Sequence, residues 1–185
     1  MTVVIGVGIL VLVVAVYVVV TYNRLVRMRN NVDNSWAQVD VALKMRHDLV
    51  PNLARTVQGY AAHERATVEA VTQARAAAEA VPAFAGPELG AAESKLAQLI
   101  GRLLVVAEGY PALKASDNFL ALQQQLTAIE NQMQITRRVY NDTVETYRTH
   151  TQRIPAAIVA NAGGFEPRDF FQAPVESHAA PVVTV

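Results

Sequence analysis

The chain begins MTVVIGVGILVLVVAVYVVVTY, residues 1–22, without one charged side chain. A helix of about 20 apolar residues spans the ~30 Å hydrocarbon core of a bilayer. A cleaved signal peptide is the rival reading, and it calls for a basic residue before the run and a small-residue cleavage site after it. Neither is present, so residues 1–22 are expected to be a retained transmembrane anchor. Arg24, Arg27 and Arg29 follow before the first acidic residue, Asp33. The positive-inside rule then places the N-terminus outside and the rest of the chain in the cytoplasm, as a single-pass membrane protein. The same arginines are candidates for contact with anionic lipid, beyond their role in topology.

Beyond the anchor, a long apolar stripe advances by threes and fours: Leu25, Met28, Val32, Trp36, Val39, Leu43, His47, Val50, Leu53, Val57, Tyr60, Glu64, Val68 and Val71. That spacing predicts one amphipathic helix, continued by the helix-favouring ARAAAEA at 74–80 and ended by Val81-Pro82. A second helix opens at Pro87-Glu88 and shows Leu89, Leu96, Ile100, Leu103 and Ala107 on one face before Gly109 and Pro111 stop it. Ser116, Asp117 and Asn118 precede a third stripe, Phe119, Leu122, Leu126, Ile129, Met133, Tyr140, Val144 and Tyr147, which runs to about Arg153. Residues 156–163 fit a short helix, and Phe165, Phe170 and Phe171 are offered to the core. Short connections between long helices predict an all-α, antiparallel up-and-down bundle of three to four helices over residues 23–172. The segment 173–185 lacks periodicity and is expected to be a flexible tail.

These pieces resemble the LemA family. The resemblance covers Tyr22 to about Ala173 and rests on YNRLVRMRNNVDNSWAQVDVALKMRHDLVPNL, VQGYAAHE, AEGYPALKASDNFLALQQQL, YND and FEPRDFFQA, in that order. It implies a single-pass membrane protein with an antiparallel helical bundle. It supplies no catalytic residues, and roles in envelope maintenance or signalling are what it suggests.

Charge and composition exclude several function classes. Lys+Arg 16 balances Asp+Glu 16, so no excess of positive charge points to nucleic acid. The absence of cysteine removes disulfides, thiolate ligands and thiol chemistry. His47 and Asp48, with His63 and Glu64 further on, invite a metal or acid–base reading. On one continuous helix His47 and His63 stand about 24 Å apart, too far to share an ion. No HExxH or bundle-type Glu-x-x-His pairing is present, so no metal, cofactor or catalytic site is expected. His47 lies on the stripe as a partly buried polar contact, and Arg46 and Asp48 flank it in solvent.

Pro51 interrupts the stripe four residues after His47. A proline there removes the hydrogen bond to the His47 carbonyl and crowds that turn. The apolar phase passes through it unbroken, which favours a helix kinked at His47 and Pro51 over a chain reversal. One helix over residues 23–80 would extend about 87 Å, against some 33 Å for the second helix. That mismatch leaves Leu25, Met28, Val32, Trp36, Val39 and Leu43 without an evident partner in their own chain. The expectation is a membrane-anchored, non-catalytic scaffold that forms homo-oligomers through this stripe. The alternative is an adaptor for another membrane protein.

Overall fold

The structure is a computed structural model and describes residues 1–171. The expected tail, 173–185, lies outside the described residues. The secondary structure is helical: α1 (Thr2–Tyr60), α2 (Arg65–Glu79), α3 (Gly86–Glu108), α4 (Pro111–Lys114), α5 (Asp117–Gln152) and α6 (Ala156–Ala162). The all-α reading holds, and no strand occurs among the described residues. The chain divides into two compact units.

The first unit contains Met1–Gln38 and Arg138–Arg168. Residues 1–20 are exposed throughout, and burial begins at Thr21. From there α1 packs against the C-terminal part of α5. Trp36 meets Tyr140 edge to face with ring centroids 5.2 Å apart, and Arg24 meets His150. The two helices are therefore antiparallel. Leu25, Val32, Tyr140, Val144, Tyr147, Val159, Ala160 and Phe165 complete the buried interior.

The second unit contains Val39–Arg137 with the chain from Asp169. Four helices surround its core. Leu49, Val50, Leu53 and Val57 come from α1, and Val71, Ala74 and Ala78 from α2. Leu96, Ile100, Leu103 and Ala107 come from α3, and Phe119, Leu122 and Leu126 from α5, with Leu113 of α4 closing one side. The alanines of α2 have little side chain to bury, which suits close approach to neighbouring helices.

One expectation is corrected. The helix expected over residues 23–80 stops at Tyr60, and the chain reverses through residues 61–64 before α2. Pro51 lies inside α1 and is not a point of reversal. The apolar phase misled because both arms of a helical hairpin need the same spacing, and a four-residue turn is about one helical repeat long. Only Gly59 punctuates the sequence there. The chain approaches itself closely at Gly86, the first residue of α3. A Cβ at that position would stand 2.2 Å from the Phe170 carbonyl oxygen, so only glycine admits this strand of backbone.

Candidate functional site: a buried ionic network

The polar centre of the second unit is built around Glu93. Glu93 occupies the gap in the α3 stripe between Leu89 and Leu96 and is buried with them. Its Oε2 accepts from Arg46 Nη1 at 2.9 Å, and its Oε1 lies 2.7 Å from His47 Nε2. With the carboxylate ionised, Nε2 is the donor. Arg46 also donates through Nη2 to Glu130 Oε2 of α5 at 2.6 Å. Arg46, His47 and Glu93 are 4%, 7% and 3% exposed, so these charges are withdrawn from water and compensated by each other.

α2 completes the arrangement. Arg75 Nε donates to the His47 carbonyl oxygen at 2.8 Å, and Arg75 Nη2 to Glu79 Oε1 at 2.7 Å. The His47 carbonyl is the acceptor that Pro51, having no N–H, leaves without its helical donor. Glu79 Oε1 also stands 3.8 Å from His47 Nδ1. Three helices thus converge on consecutive residues of α1. Arg46 Nε is the one buried side-chain nitrogen or oxygen among the described residues without a hydrogen-bond partner. A cavity of about 200 Å³ opens here, lined in part by Arg46, Glu93, Glu130, Ser94 and Arg137. Among the described residues no group of three or more His, Asp or Glu side chains is arranged to hold a metal ion.

The sequence-predicted residues fall in different places. His47 is inside the network, and Pro51 is one turn beyond it. Arg46, expected in solvent, is buried, because Glu93 and Glu130 supply the counter-charges that let it leave water. Asp48 is exposed. Arg24 meets His150, Arg27 Nε donates to the Asn23 carbonyl at 3.4 Å, and Arg29 lies over the Phe165 ring at 5.3 Å.

The stripe expected to lie open is closed. Leu25, Val32, Trp36, Val39 and Leu43 are each at most 6% exposed, and Met28 is half-buried. In the first unit the cover comes from the chain itself: the last turns of α5 run back along α1, and Phe165 returns to meet Tyr22 at 5.3 Å. The estimate of unmatched helix length failed because α5 is 36 residues long and α1 ends early. The ground for assigning the stripe to self-association is therefore removed.

Sequence reading missed Glu93, Glu130, Arg75 and Glu79. Glu93 had a visible signal, a missing apolar residue at a stripe position. The same signal marks Thr136, buried between Met133 and Tyr140, whose hydroxyl donates to the Gln132 and Met133 carbonyls. Glu130, Arg75 and Glu79 lie off the stripes, and their roles depend on the hairpin.

In the first unit, Tyr147 is buried and its hydroxyl donates to the Glu166 carbonyl at 3.0 Å. Burial pushes its ionisation above the usual 10.0; Arg168 and Arg29 oppose that shift, and Asp33 and Glu166 add to it.

An apolar stretch long enough to cross a bilayer, continuous with a helical bundle, defines a membrane-associated all-α protein. The chain belongs to the LemA family, whose model matches residues 35–185. It is similar to the magnetosome proteins MamQ 1 and MamQ 2 of Paramagnetospirillum magneticum, each 24% identical over 177 residues, with 82% of this chain and 64% of the relative covered. Magnetosome protein MamQ of Magnetospirillum gryphiswaldense is 22% identical over 176 residues, covering 81% and 64%. The chain thus spans 64% of the length of these relatives.

Proposed function

We propose that this chain is a single-pass, non-catalytic adaptor of the bacterial inner membrane. Its N-terminus faces outward, and its helical bundle is held in the cytoplasm to position another membrane protein, in envelope maintenance or signalling. The observation that carries the reading is the closure of the buried network. A general acid or base needs a proton or lone pair directed at a substrate. Both Glu93 oxygens are instead engaged by Arg46 and His47. Such a network supports one arrangement of helices, as buried polar groups do where they fix register. The covered stripe withdraws the surface on which self-association was expected, and the adaptor reading does not depend on that surface.

The test is isolation of the full chain from native membranes in mild detergent, followed by native mass measurement. A foreign membrane protein at fixed stoichiometry supports the adaptor. Complexes containing only this chain support a self-associating scaffold instead, and a lone monomer in both mild detergent and nanodiscs counts against both. Protease protection of a C-terminal tag in intact cells tests the orientation: digestion without permeabilisation overturns a cytoplasmic bundle.

A further inference from the structure

The boundary between apolar stretch and bundle is sharp. Residues 1–20 are all exposed, whereas Thr21 is 9% and Leu25 1% exposed. Arg24 sits less than one helical turn past Thr21, with its Nη2 3.2 Å from His150 Nε2. α5 runs antiparallel to α1, so each residue beyond His150 moves about 1.5 Å toward the apolar stretch while the helix lasts. α5 ends at Gln152, the chain turns through residues 153–155, and α6 leads back to Phe165 against Tyr22. The corner between α5 and α6 therefore reaches the level at which the apolar stretch leaves the bundle.

That corner exposes apolar and basic groups together. Ile154 is 85% exposed and Ile158 68%, and Arg153 is exposed beside them. Isolated surface isoleucines are ordinary, but these two flank one turn of chain at the membrane-facing end. Arg24, Arg27 and Arg153 have no carboxylate within ion-pair distance among the described residues. Arg24 and Arg153 both act on His150, whose ionisation is lowered from its usual 6.5 by burial first and then by these two charges.

We propose that the α5–α6 corner is a second membrane contact, with Ile154 and Ile158 entering the bilayer interface and Arg24, Arg27 and Arg153 pairing with anionic lipid phosphates. The inference rests on the membrane-anchor reading, because the inserted stretch of α1 is what brings a bilayer to this level. A lipid surface fits better than a protein partner for that reason: its position is set by the same helix that carries Arg24. Interfacial basic residues and exposed aliphatic side chains bind anionic membranes by this combination of charge and apolar burial.

The chain contains no cysteine, so single-cysteine labels are unambiguous. Full-length Ile154→Cys and Ile158→Cys, carrying an environment-sensitive dye, are reconstituted in phosphatidylcholine vesicles with and without phosphatidylglycerol. Val139→Cys, exposed on α5 eleven residues before His150 and within the same unit, is the control. The expected result is a blue-shifted corner dye, quenched by a quencher attached to lipid headgroups, with the control unaffected. The quenching should weaken without phosphatidylglycerol. In anionic vesicles Arg24→Gln and Arg153→Gln should each lower the ratio of seated to free corner about fivefold, the equivalent of ~1 kcal/mol per basic residue. Protein that floats with the vesicles but leaves the corner dye as exposed as the control overturns this inference and spares the anchor. Protein that does not float overturns both.

Discussion

The His47 carbonyl oxygen takes its hydrogen bond from Arg75 Nε at 2.8 Å, in place of the amide that Pro51 lacks. A defect inside one helix is thereby repaired by a neighbouring helix, and the repair ties α2 to α1. This relationship makes a measurable coupling. Arg75→Ala should destabilise the full chain by about 1–3 kcal/mol, because a partly buried acceptor loses its donor. With Pro51→Ala already present, residue 51 supplies the amide, and the same Arg75 change should cost about 1 kcal/mol less. Denaturant unfolding of the four proteins in a double-mutant cycle measures the difference. Additive effects would mean that the two residues do not share this acceptor.

Glu93 is the keystone of the network. Glu93→Ala leaves Arg46 without one of its two carboxylates and His47 without its close partner, in a buried setting. The expected loss is about 3–5 kcal/mol, the range for removing one side of a buried ion pair. Replacing Arg46, His47 and Glu93 together by aliphatic residues of similar volume should cost much less than that single change. Thermal melts followed by circular dichroism compare the two variants.

Much of this fold was legible in advance because burial follows helical periodicity. The stripes on α3 and α5 point to their buried faces, and the stops at Val81-Pro82 and Gly109 agree with the ends of α2 and α3. The network was less legible. Glu93 breaks its stripe visibly, but the identity of its partners depends on where α1 ends. That end has no proline and no loss of phase, so Arg75 cannot be placed beside His47 from spacing alone. The open seam near Trp36 was an error of length: α5 reaches far enough back for Tyr140 to cover it.

Tyr147 predicts an alkaline limit to stability. Its folded-state ionisation lies above 10.0, so below that pH the neutral hydroxyl contributes fully. As pH rises through 10.0, the unfolded chain releases the proton first, and the contribution falls until the folded pKa is passed. Tyr147→Phe should remove this part of the alkaline loss. It should also cost about 1 kcal/mol near neutral pH, through the missing bond to the Glu166 carbonyl. Stability measured from neutral to alkaline pH separates the two effects.

Gly86→Ala tests the close approach of α3 to the chain around Phe170. An added methyl must displace backbone, because the Phe170 carbonyl oxygen stands 2.2 Å from the new atom. The expected cost is about 1–3 kcal/mol, as for other overpacked sites. Amide exchange should quicken first around residues 169–171, where Phe171 is buried and its ring lies 5.7 Å from the Arg137 guanidinium. Unchanged exchange there would show that the contact contributes little.

The unbroken course of α1 through Thr21 has a mechanical consequence. Nothing in the helix can swivel between the apolar stretch and Leu25, so a tilt or twist imposed on one is imposed on the other. The azimuth of the first unit about the helix axis is then set by residue count alone. One alanine inserted between Val20 and Thr21 would turn the rest of that unit by about 100° relative to the apolar stretch.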